Sequence, residues 1–98
     1  MPYAIITQDK PGHAEVRASN RATHIEYLKA NQQMLLAAGA LLADDGSPGE
    51  GGLLLVDTDD RAVAERFIAD DPFTKAGLFE KVVVTRWRKA FFDGECLL

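Results

Sequence analysis

The chain is poor in the residues that fix a protein by covalent cross-links or metal bonds. Its 98 residues include one cysteine, Cys96, so no disulfide can close within the chain and no paired thiolates stand at metal-ligand spacing. No stretch approaches the roughly 18 apolar residues of a membrane span, and the opening MPYAIITQDK lacks a basic segment followed by a long apolar one. No membrane association and no export are expected, and a reducing cytoplasm is the expected setting. Basic residues are few and scattered, 11 Lys and Arg against 15 Asp and Glu, which speaks against a nucleic-acid partner, because phosphate binding needs clustered cations. Arg86, Arg88 and Lys89 lie close together, but their alternation with Trp87 reads as the solvated face of a strand.

What is present is apolar content of 47% beside 27% charge, the balance of one globular domain with no length for a second core. A chain this short buries only about 60% of the surface that its unfolded form exposes, so self-association would add stability and a homodimer is expected.

Tyr3-Ala4-Ile5-Ile6-Thr7 reads as a strand closed by Asp9-Lys10-Pro11-Gly12. The composition turns helical from Ala14, and Ile25, Leu28, Leu35 and Leu36 share a helical face, which predicts a helix from about residue 21 to Ala38 with Gly39 as its stop. Asn20, or Thr23 with Glu26, could cap its start. Ala40–Ala43 and Leu53–Val56 read as two antiparallel strands around the loop DDGSPGEGG. Asp60 and its neighbours Thr58 and Asp59 offer caps for a second helix with Val63, Ala64, Phe67 and Ile68 on its apolar face, ending near Ala69. Leu78–Trp87 reads as a long fourth strand. The order βαββαβ predicts an α+β, ferredoxin-like fold: a four-stranded antiparallel sheet with two helices on one face. Apolar residues of both parities in the last two strands suggest that the bare face meets a second copy.

Two candidates for chemistry stand out. His24 borders the apolar stripe of the first helix, where it is either a core-edge histidine or a proton carrier. Asp71 precedes Pro72, where it is either a helix cap or a reactive carboxylate; having two oxygens, it can be both. An aspartate bonded to one imidazole nitrogen fixes the tautomer and leaves the other nitrogen to move a proton, and the fold permits the two residues to meet. Ser19 and Ser47 lie in no nucleophile motif, Cys96 is near the end, SPGEGG is a flexible hairpin rather than a phosphate loop, and His24 has only Glu26 nearby as a metal partner. Neither a metal nor a cofactor is expected.

Tyr3-Ala4-Ile5-Ile6 with Asp9, Arg21-x-x-His24 with Leu28, Ala38-Gly39-Ala40-Leu41, and above all Asp71-Pro72-Phe73 with Ala76-Gly77-Leu78-Phe79 resemble the YCII-related (YciI-like) domain family over about residues 3–91, leaving a short C-terminal tail. The resemblance implies the dimeric α/β-barrel form of the ferredoxin-like fold and an active-site dyad of His24 and Asp71. It matches Arg17 and Arg21 to family arginines that either hold an anionic substrate group or pair with Asp9 or Glu15. It also shows a departure: Gly51-Gly52 stands where many relatives have Gly-Ser, so a hydroxyl contact to the ligand is missing there. Phe73, Phe79 and Tyr3 are candidates for an apolar pocket wall, or else core. The resulting expectation is an enzyme using a His24–Asp71 acid/base pair on a small molecule without a covalent intermediate, by elimination, isomerisation or hydrolysis. The alternatives are a non-catalytic binding or accessory module, and haem or cofactor-free oxygen chemistry as in the broader barrel superfamily.

Overall fold

The computed structural model describes residues 1–98. The elements are β1 (Tyr3–Asp9), α1 (Ala14–Ala30), a single 3-10 turn (Gln32–Met34), β2 (Leu35–Leu42), β3 (Pro48–Val56), α2 (Arg61–Ala69), α3 (Pro72–Lys75), β4 (Phe79–Arg86), β5 (Phe91–Phe92) and β6 (Glu95–Cys96). The first four strands to pair form an antiparallel sheet ordered β2-β3-β1-β4, the ferredoxin-like α+β arrangement.

Alternation along β1 decides what goes inside. Tyr3, Ile5, Thr7 and Asp9 point to the helix side and are buried, whereas Ile6 and Gln8 are exposed. Val56 and Leu54 of β3 lie opposite Tyr3 and Ile5, so they share that face. Phe67 and Ile68 of α2 complete the buried cluster with Ile5, Leu54 and Val56, and Tyr27 and Leu28 of α1 pack against it. Each of these large side chains contributes about 1.5 to 3 kcal/mol on burial. Both main helices therefore cover one face. The other carries Ile6, Leu53 and Val83, directly opposite one another across β1, β3 and β4 and each more than a third exposed.

The second helix begins as expected, with the Asp60 side chain accepting from the Ala62 amide. The first does not. It starts seven residues before the expected residue 21, and Asn20, read as a cap, lies inside it with its amide donating to the Val16 carbonyl. The true start follows Pro11-Gly12, with Gly12 at φ 74°, and has no side-chain cap to announce it. The helix ends at Ala30, so Leu35 and Leu36 belong to β2 and Gly39 lies mid-strand opposite Leu53. A helical spacing that continues through an unmarked turn caused the error. β3 likewise begins at Pro48, so Gly49, Gly51 and Gly52 are strand residues rather than loop. At Gly49 a Cβ would collide with the Leu41 carbonyl at the bulge between Leu41 and Leu42, which is why this strand tolerates so much glycine. The expected C-terminal tail is a hairpin, β5–β6, whose turn places Asp93 and Gly94 at φ 53° and 74°.

Candidate active site

Because α1 begins at Ala14, Arg17, Arg21, His24 and Leu28 fall on one helical face at i, i+4, i+7 and i+11. All four line a pocket of about 210 Å³ between α1 and the sheet. Thr7 of β1, Leu54 and Gly52 of β3, and Ala38 to Ala40 of β2 form its floor. Asp71, Phe73 and Phe79 close its end.

Asp71 reaches the pocket because of its capping position. Pro72 occupies the first helical position of α3, and Asp71 Oδ1 accepts from the Phe73 amide at 2.8 Å. The same carboxylate, with no exposed surface, accepts from His24 Nδ1, at 2.9 Å to Oδ1 and 3.0 Å to Oδ2. Cap and histidine partner are thus one residue, and the contact joins positions 47 apart in sequence. With Nδ1–H committed to the carboxylate, the lone pair of the neutral ring is on Nε2, which has no partner in the protein. No fully buried side-chain nitrogen or oxygen lacks a hydrogen bond, so Nε2 opens onto accessible space.

The imidazole lies flat on the Phe73 ring, with centroids 4.0 Å apart and planes 15° apart, and Phe79 meets Phe73 edge-on at 6.2 Å. Phe73 is 2% exposed, so its main contact is with His24 rather than with the open pocket. Phe79 lines the pocket, whereas Tyr3 does not: it sits at the other end of β1 beneath the Arg86 guanidinium, 4.4 Å from its ring. The two arginines have different situations. Arg17 grips buried Asp9 through two hydrogen bonds, Nε to Oδ2 at 2.6 Å and Nη2 to Oδ1 at 2.9 Å, and lies 4.8 Å over the Phe73 ring. Arg21 makes no side-chain hydrogen bond or ion pair and stands exposed at the pocket rim. Of the two partners expected for Arg17, the structure contains Asp9 and not Glu15.

Sequence reading passed over Thr7. Its signal was parity: a hydroxyl at an inward position, directly opposite Gly52. Gly52 has no hydroxyl to offer, but Thr7 Oγ1 lies 3.3 Å from where a Cβ at Gly52 would be. Thr7 itself lines the pocket. No group of three or more His, Cys, Asp or Glu side chains is placed to hold a metal ion.

A family model for the YCII-related domain matches residues 1–88. The chain belongs to the YCII-related domain family. Its similarity to curated relatives runs nearly end to end: it is 32% identical to protein YciI of Escherichia coli and 31% identical to an uncharacterised protein of Haemophilus influenzae, with 93% of this chain and 100% of each relative covered. Among solved structures it is similar to the 5-chloro-2-hydroxyhydroquinone dehydrochlorinase of Burkholderia phenoliruptrix in complex with 2,5-dihydroxybenzoquinone. That match has a TM-score of 0.81 and 33% identity, over 90% of this chain and 94% of the other. The YCII match ends at Arg88, before the β5–β6 hairpin, so the hairpin lies outside the part this chain shares with the family model.

The charge on Asp71 can be read from a neighbour. The Tyr27 hydroxyl donates to the Phe67 carbonyl at 2.8 Å, and its pKa is pushed up first by burial and then by the negative charges of Asp70 and Asp71. Replacing Asp71 by Asn removes one of those charges, so Tyr27 is expected to ionise at lower pH, as followed by phenolate absorbance. An unmoved titration would mean that the Asp71 carboxylate does not act on Tyr27.

Proposed function

We propose that this YCII domain is a small-molecule enzyme in which His24, oriented by Asp71, takes and returns a proton without forming a covalent intermediate. One observation carries the reading: an imidazole tied through Nδ1 to a buried carboxylate keeps Nε2 free in a pocket. The carboxylate sets the tautomer and stabilises the imidazolium once the proton arrives. A module that only binds a ligand has no use for that arrangement.

Elimination is the reaction with most support, because the solved relative at 33% identity is a dehydrochlorinase. In such a step a proton on the substrate passes to Nε2, the electron pair it leaves forms the new double bond, and chloride departs with the carbon–chlorine pair. Isomerisation begins with the same proton transfer, whereas in hydrolysis Nε2 would take the proton from the attacking water. Arg21, the unpaired cation at the rim, is suited to an anionic oxygen, while Arg17, held by Asp9, supports the Phe73 ring on which His24 rests. The test is chloride release from 5-chloro-2-hydroxyhydroquinone by the purified chain, with saturation kinetics expected; release no faster than the buffer background would remove elimination on this substrate.

The working unit in this reading is a homodimer formed sheet to sheet. The bare face bearing Ile6, Leu53 and Val83 is apolar at its centre and can pack on a copy of itself about a two-fold axis. Sedimentation equilibrium is expected to give twice the chain mass for the wild type and the single mass for Leu53→Glu, where two carboxylates would be forced into that interface. A wild type that stays monomeric at tens of micromolar rules the arrangement out.

A further inference from the structure

Among the polar groups around the pocket, the Thr7 hydroxyl has no evident purpose within the chain. Thr7 is 3% exposed, yet Oγ1 forms no hydrogen bond with any protein atom. Since no completely buried side-chain oxygen is left unpartnered, this oxygen must open onto the pocket that Thr7 lines. Valine has the same shape and a higher preference for such a position, so the hydroxyl is explained by a partner that the folded chain itself does not supply.

The opposite strand keeps the space before it clear. Gly52 is the register partner of Thr7, and a Cβ there would stand 3.3 Å from Oγ1 and 3.4 Å from the Gly39 carbonyl oxygen. Any side chain at position 52 would crowd the hydroxyl. Glycine leaves a slot with the hydroxyl on one side and backbone on the other. Thr7 is not placed to be a nucleophile, because no base accepts its proton: His24 Nδ1 is engaged with Asp71 and no Thr7–His24 hydrogen bond exists.

We propose that Thr7 is a substrate-positioning residue whose hydroxyl donates a hydrogen bond to an oxygen substituent of the substrate, fixing the ring so that its acidic hydrogen faces His24 Nε2. The assignment rests on the acid–base reading above and narrows it. The substrate class becomes a small planar molecule with at least two oxygen substituents, one bound by Thr7 in the slot and one, carrying negative charge, by Arg21 at the rim. Hydroxyquinones and their hydroquinone precursors have this pattern.

The experiment is titration of the chain with 2,5-dihydroxybenzoquinone, followed by its visible absorbance, for the wild type, Thr7→Val, Thr7→Ser and the exchange Thr7→Ala with Gly52→Ser. The thermal midpoint of each variant is checked first, and Thr7→Ala takes the place of Thr7→Val should the valine not fold. The expected result is a dissociation constant about tenfold or more higher for Thr7→Val, near the wild-type value for Thr7→Ser, and largely restored by the exchange, which moves the hydroxyl to the facing strand. Wild-type affinity in Thr7→Val, or equal weakening in the valine and serine variants, overturns the assignment while leaving the His24–Asp71 reading intact. A wild type that does not bind the quinone overturns the hydroxyquinone class and the assignment with it.

Discussion

Asp71→Ala is expected to lower the thermal midpoint by roughly 10 to 25 °C and to abolish turnover. Three losses coincide. The Phe73 amide at the start of α3 loses its cap, His24 Nδ1 loses its acceptor, and a side chain with no exposed surface is emptied. A lost cap costs about 1 kcal/mol and an orphaned donor about 1 to 3, and each kcal/mol moves the midpoint of a domain this size by about 4 to 8 °C. Asp71→Asn separates the two roles. The amide oxygen can still cap Phe73 and fill the space, so most of the stability should return, but a neutral amide cannot stabilise an imidazolium and activity should stay low. Circular dichroism melting beside an activity assay reads both. An Asn variant as unstable as the Ala variant would mean that charge, not capping, holds α3.

His24→Gln is expected to reduce chloride release by about a hundredfold to ten-thousandfold, the range that a positioned acid–base group contributes. Stability should change far less than in Asp71→Ala, because a glutamine can still donate to the carboxylate and cover part of Phe73. Full activity in His24→Gln would remove the histidine from the mechanism whatever its geometry.

Local chemistry was legible in the sequence wherever it has a local cause. Asp60 and Asp71 were readable as caps because Ser, Thr, Asp and Asn accept backbone bonds at helix starts, and both residues do so. The apolar face of α2 likewise follows from periodicity, with Ala64, Phe67 and Ile68 buried. The boundaries of α1 were not legible, since it starts after a glycine turn with no cap and leads through a 3-10 turn into a strand whose leucines continue its spacing. That shift mattered for the site, because a helix starting at residue 21 leaves Arg17 off the face shared with Arg21 and His24. The Asp93-Gly94 pair was a readable hairpin signal that went unused. From the residues themselves the meeting of His24 with Asp71 was legible only as permitted by the fold, and the family resemblance alone pointed to it, because a contact between residues 47 apart depends on how two packed layers align, which no local pattern encodes.

The strand order has a consequence for how the protein comes into being. β1 emerges first from the ribosome, yet it lies between β3 and β4 and has no partner until residues 51–56 and then 79–86 follow. Local helices can form while β1 waits, with Ile5 and Ile6 uncovered, so folding must close long loops and should be slow for a domain of this length. His24 waits as well, because α3 lies just ahead of β4. A ribosome stalled before β4 therefore displays a helix bearing its histidine but no completed sheet, and the pocket is among the last features that the nascent chain acquires.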